Sequence, residues 1–188
     1  MLPLNVSYLK KMPKKRQPVS LVIDASVARA SGNDSATFPL AIYCRDYLSE
    51  IINHEYKVVF SPEMSREWNK HQSNFALGWR TSMVARRRIE VLTEDPANMD
   101  FRNAISSSQS TPNQKRAMLK DSHLVECAGA TDNRVSALDD TVRRLFQYTT
   151  GVSAHVKKLV WVNPGKIEET PLQWLRDGAK AETARMLR

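Results

Sequence analysis

A chain of 188 residues, 41% hydrophobic and 26% charged, has the length and composition of one soluble domain with a sizeable core. No apolar run approaches the roughly 18 residues a membrane span needs, and none at the start resembles a secretory core, so cytoplasmic residence is the expectation. The net charge is +8, but five of the basic residues fall in residues 1–20, which contain no acid. Such a segment is either a solvated tail or an electrostatic arm for a polyphosphate backbone.

The first predicted element is Val19–Ile23, a short branched run suited to a central parallel strand and ending at Asp24. Asp24 would then stand at the carboxyl end of that strand, where open α/β sheets hold their ligands. Pro39–Asn53 follows as a helix with a continuous apolar face, and Tyr56–Phe60 as a second strand. Ser61-Pro62-Glu63 starts a helix that carries Glu67, combining a hydroxyl cap, an early Pro and an acid at the positive dipole end. The pattern predicts one long helix over Phe75–Leu92, including Arg86, Arg87 and Arg88. Spread around a helix, those three arginines read as a solvated face or as a phosphate track.

Glu94–Ser110 is polar, Ser-rich and without periodicity, and is expected to lack regular structure. Thr111-Pro112-Asn113-Gln114 then opens a helix as a capping box. On that helix Ala117, Met118, Asp121, Leu124, Val125 and Ala128 share one stripe, so Asp121 is a carboxylate in an otherwise apolar face. Such a group is costly unless something compensates its charge. Arg134–Leu138 reads as a strand ending in Asp139-Asp140, Thr141–Thr149 as a short helix and Lys158–Val162 as a last strand. Ile167–Arg188 is expected to be a helix. The organisation expected is a basic segment (1–18), one α/β domain (19–165) and a helical extension (166–188). Strand–helix alternation predicts a three-layer α/β/α sandwich with a mainly parallel sheet.

Asp24, Glu67, Asp121 and Asp139 thus stand at comparable positions near one sheet edge. Gathering them requires a cation, and oxygen-only donors favour Mg²⁺ or Mn²⁺ over zinc. Ions of this kind activate water for phosphodiester hydrolysis. Cys44 and Cys127 lack metal-ligand spacing and read as buried thiols, and none of the four histidines has ligand spacing. Trp68 and Trp79 read as core or interface residues. A haloacid-dehalogenase-like phosphatase needs an Asp where Ser26 stands, and a response-regulator receiver needs acids upstream of Asp24; both are set aside.

In order and spacing, VIDAS, SPEMSRE, KDSHLVECA and SALDD resemble the PIN-domain family of metal-dependent ribonucleases over roughly residues 19–163. That resemblance implies an RNA substrate and an acidic quartet of Asp24, Glu67, Asp121 and Asp139. Asp24 and Asp121 would be central ligands, Asp139 would assist, and Glu67 would ligate or orient a second ion or its water. Ser26 matches the small hydroxyl residue that supports the family's metal site. Where the family carries Thr or Ser two positions before the last Asp, this chain has Ala137, so Asp140 competes with Asp139 for the fourth place. The family includes the toxins of VapC-type toxin–antitoxin pairs, which makes an antitoxin peptide one candidate partner and a second copy of the chain another. A DNA-directed metal nuclease and a non-catalytic binding module are the rival expectations.

Overall fold

The computed structural model describes residues 18–149 and 156–188. The basic run at residues 10–16 and His155 lie outside them. Strand β1 (Ser20–Ile23) is buried at every position, as its unbroken apolar sequence requires of a central strand. It pairs in parallel with β2 (Lys57–Phe60) on one side and β4 (Arg134–Ser136) on the other. Strands β3 (Ile89–Val91) and β5 (Val160–Val162) complete an all-parallel sheet of order β3-β2-β1-β4-β5.

The chain runs outward from β1 to β3, then returns past β1 to β4 and continues outward to β5. Right-handed crossovers put helices on opposite faces for the two directions of travel. Helices α1 (Ala25–Ala30), α2 (Pro39–Asn53), α3 (Pro62–His71) and α4 (Asn74–Ala85) pack with one another before the reversal. After it, α6 (Pro112–Lys120) packs with α5 (Met99–Ser107), α7 (Ser122–Gly129) and α8 (Asp140–Gln147). The result is a three-layer α/β/α sandwich whose direction of travel reverses between β1 and β4. A crevice opens at the carboxyl ends of strands at such a point.

Four expectations are corrected. The helix expected over Phe75–Leu92 stops at Ala85, because Arg87 adopts φ +55° and turns the chain into β3. The Arg88 carbonyl accepts from the Val58 amide and begins the β2–β3 pairing. A run of good helix formers is overridden there by the sheet. The stretch Glu94–Ser110 contains α5, which buries only Phe101, Ala104 and Ile105 and so shows little periodicity. Its hold is polar: Glu126, buried in α7, accepts two hydrogen bonds from Arg102 and one from the Asn98 amide.

The helix expected around Asp121 is broken at that residue, which ends α6 and precedes α7. Beyond residue 166 the chain forms a short α9 (Pro171–Arg176) between two 3-10 turns, Ile167–Glu169 and Thr183–Arg185, and α9 ends where Gly178 at φ +88° and Ala179 at φ +48° turn the chain. The remainder crosses back to the sheet. Met186 forms an antiparallel bridge with Val160, the Leu187 amide donates to the Leu159 carbonyl, and Leu187 is buried.

The capping box at Thr111 is present in both directions: the Thr111 hydroxyl accepts from the Gln114 amide, and the Gln114 side chain accepts from the Thr111 amide. Thr111→Ala is expected to cost about 1 kcal/mol, read as a lowered urea midpoint with unchanged slope. Cys44 and Cys127 are buried free thiols. None of the described helices is long and apolar enough to cross a membrane.

Candidate functional site

Asp24 is the first residue past β1 and is still tied to the sheet, its amide donating to the Ser136 carbonyl at 2.9 Å. Its backbone is extended (φ −63°, ψ 146°), and its carboxylate caps α1 by accepting from the Ser26 amide at 3.1 Å. The Ser26 hydroxyl accepts from the Leu138 amide at 3.3 Å, joining the turn after β1 to the turn after β4. A side chain expected to support the site therefore stitches its two central strands together.

Asp139 follows β4 and caps α8, one carboxylate oxygen accepting from Thr141 at 2.8 Å and Val142 at 2.9 Å. Its neighbour Asp140 is held differently: Lys166 lies at 2.7 Å, Asn163 donates to it at 3.1 Å, and Arg143 is 3.8 Å away. Two cations and an amide already compensate Asp140, whereas Asp139 keeps one oxygen outside its cap.

Asp121 sits between two helices, and among the described residues no donor reaches its carboxylate. Burial pushes its pKa up to about 6, and the nearby charge of Asp24 adds to this. Lys120 and His123 pull the other way, and Glu67 contributes a further small rise. Asp24, Glu67 and Asp121, from three separate stretches of chain, thus share one electrostatic neighbourhood.

All four acids, with Ser26 and Asp140, line a single cleft of about 580 Å³ at the carboxyl end of the sheet, next to Arg29, His71 and Lys120. A larger cleft of about 720 Å³ opens at the opposite end and contains none of these acids. Arg87 and Arg88 line that second cleft. Arg88 bonds the Ile52 carbonyl and Glu55, while Arg86 folds back on Ser82. The three arginines read as a phosphate track therefore stand away from the acids.

Two contributors were not foreseen. His123 is buried; its Nδ1 lies 3.1 Å from the Lys120 carbonyl, and its Nε2 is 3.8 Å from Glu67 with no hydrogen-bond partner. Trp68, next to Glu67, donates its indole N–H to the Ile23 carbonyl at 2.8 Å, one residue before Asp24. Neither contact has a signal in the sequence, because each joins segments brought together only by packing of α3 on β1 or α7.

The donor chemistry suits a hard divalent cation: oxygen atoms from separate segments around one cleft, with one carboxylate destabilised by burial and by a neighbouring acid. Among the described residues, no group of three or more His, Cys, Asp or Glu side chains is arranged to hold such an ion directly. Asp139 leans on its cap and Glu67 on His123, so closing on a cation calls for side-chain rotation. Comparison with protein-family models, with curated proteins and with solved structures finds no match to this chain.

Proposed function

We propose that the protein is a Mg²⁺- or Mn²⁺-dependent endoribonuclease of the PIN-domain type, hydrolysing RNA phosphodiester bonds in the Asp24–Glu67–Asp121–Asp139 cleft. The observation that carries this reading is the shared cleft at the point where the sheet reverses, with the Asp121 carboxyl raised by burial and by Asp24. Like-charged carboxylates in one cleft are a standing cost, and a divalent cation is the partner that removes it. Asp24, Asp121 and Asp139 would hold the ion, with Glu67 as the fourth group. When bound, the ion would lower the pKa of water and neutralise charge on the phosphate.

The chain's own groups do the rest. Ser26 holds the turns after β1 and β4 at fixed spacing, Trp68 fixes β1 against α3, and Arg29 and Lys120 offer positive charge at the cleft for the phosphate. Hydrolysis adds water at phosphorus and breaks a P–O bond, and the leaving oxygen takes a proton. Within this reading a toxin role, with an antitoxin peptide as partner, a homodimer and cytoplasmic residence remain parts of the proposal.

A second reading, a binding module without catalysis, is favoured by one observation: the acids are not already closed into a metal-holding group. The two separate in one assay. EDTA-treated protein is titrated with Mn²⁺ against end-labelled RNA and DNA strands of one sequence. The nuclease reading expects metal-dependent internal cleavage of RNA, reduced more than tenfold by Asp139→Asn but only a few-fold by Asp140→Asn, since lost supporting groups cost about 10–100-fold and Asp140 is already neutralised. Binding without cleavage would favour the module, and cleavage of DNA alone the related DNA nuclease.

A further inference from the structure

The cleft at the amino end of the sheet is lined by charged side chains that are mainly basic, where those of the other are mainly acidic. Lys57 from the start of β2, Arg87 from the turn before β3 and Lys180 from beyond α9 converge on it. Among the described residues none of these three has a carboxylate partner. The one acid in the lining, Glu55, is taken by Arg88 at 3.3 Å. Three uncompensated positive charges therefore share one concavity of about 720 Å³. An anion bound there would meet positive charge from three separate stretches of chain.

Two further observations point the same way. Glu55 at φ +63° and Arg87 at φ +55° are non-glycine residues in the left-handed region, a conformation that costs on the order of 1 kcal/mol and recurs at ligand sites. The lining also includes Pro18, separated by one residue from the run Lys10–Arg16, which carries five cations and no acid. In sequence, then, the cleft's first lining residue follows closely on the chain's densest basic run.

We propose that this cleft, centred on Lys57, Arg87 and Lys180, binds the phosphate backbone of a nucleic-acid strand, at a site separate from the acidic cleft. A lipid surface is the poorer occupant: the charges lie in a concavity, and among the described residues none of the exposed large apolar side chains is in its lining. The choice of nucleic acid over other polyanions rests on the nuclease reading above. The site would hold the strand without reading its sequence and would lend affinity to the chemistry at the other end of the sheet.

The test uses the full chain in EDTA, so that binding is measured without cleavage. Fluorescence anisotropy follows a labelled single-stranded RNA 20-mer and the DNA strand of the same sequence from 50 to 200 mM NaCl. Replacing Lys57, Arg87 and Lys180 together by Gln is expected to weaken binding at least tenfold at ~100 mM salt and to flatten the log–log salt slope by about 2. Arg87→Gln alone should flatten it by about 0.7, which serves if the triple variant folds poorly. RNA and DNA arms show whether the 2′-hydroxyl contributes.

Native affinity and slope in the folded triple variant would overturn the proposal. So would loss of the whole salt dependence when Lys10, Lys11, Lys14, Lys15 and Arg16 are changed to Gln, because the cleft would then carry none of it. Binding to phosphatidylserine vesicles with both strands left free would overturn it as well. Binding of the expected kind in EDTA, with no cleavage once Mn²⁺ is restored, would uphold this site and sink the nuclease reading.

Discussion

Asp121→Asn is expected to yield a protein that is more stable than the native one and inactive. The Asp121 carboxyl ordinarily titrates near 3.8 and is pushed up to about 6 in the fold, first by burial and then by Asp24. A folded-state value above the unfolded one means that the stability this group contributes is complete below about pH 4 and is lost as pH rises through about 6. At pH 7.5 the charged side chain is a net cost, which asparagine removes. The displacement corresponds to ~3 kcal/mol without screening, and in a solvent-open cleft a gain of about 1 kcal/mol is expected. Urea unfolding in EDTA should show that gain at pH 7.5 and none at pH 4.

Activity should move the opposite way, falling more than about 100-fold, beyond the loss typical of a merely supporting partner. Mn²⁺ at a hundred times its Kd should stabilise the native chain by ~2.7 kcal/mol and the variant far less. A variant that gains stability and still cleaves at the native rate would remove Asp121 from the catalytic set.

The second large effect concerns Trp68. Its side chain is fully buried, edge-on to Phe60 at 5.1 Å and stacked on Trp79 at 5.8 Å between ring centres, with the indole N–H donating to the Ile23 carbonyl. Trp68→Ala should cost roughly 3–5 kcal/mol, since the packed layer over β1 and β2 cannot collapse onto so large a void. Trp68→Phe is the more informative change. It keeps most of the apolar contact but deprives a buried carbonyl of its donor, costing about 1–3 kcal/mol. Because that carbonyl precedes Asp24 and Trp68 follows Glu67, the bond sets the spacing between two of the acids. Calorimetric Mn²⁺ affinity of the folded Phe variant should drop about tenfold. Affinity equal to the native value would make Trp68 a packing residue only.

The sequence disclosed what local pattern can carry. The apolar run of β1 with Asp24 at its end, the face of α2 and the capping box at Thr111 are all written within a few neighbouring residues, and each stands in the fold as read. Asp121 stood out because it interrupts an apolar stripe, although the helix it was read into is in fact two. What escaped was set by distant partners. Strand β3 follows three arginines and exists through its pairing with β2, and α5 is held by an ion pair with Glu126, more than twenty residues on. The different surroundings of Asp139 and Asp140 depend on Lys166, Asn163 and Arg143, and the nearness of His123 to Glu67 on the packing of α7 against α3.

The bridge between Met186 and Val160 has a practical consequence for anyone trimming the chain. An outer strand with open amides and carbonyls is a template for a second molecule, and natural sheets cover or blunt such borders. Cutting at residue 165 would uncover β5 and discard the buried Trp174, Leu175 and Leu187 together. The fragment left would have a sticky border and a thinner core, so shortened versions invite aggregation, and the final twenty-odd residues belong to the folding unit.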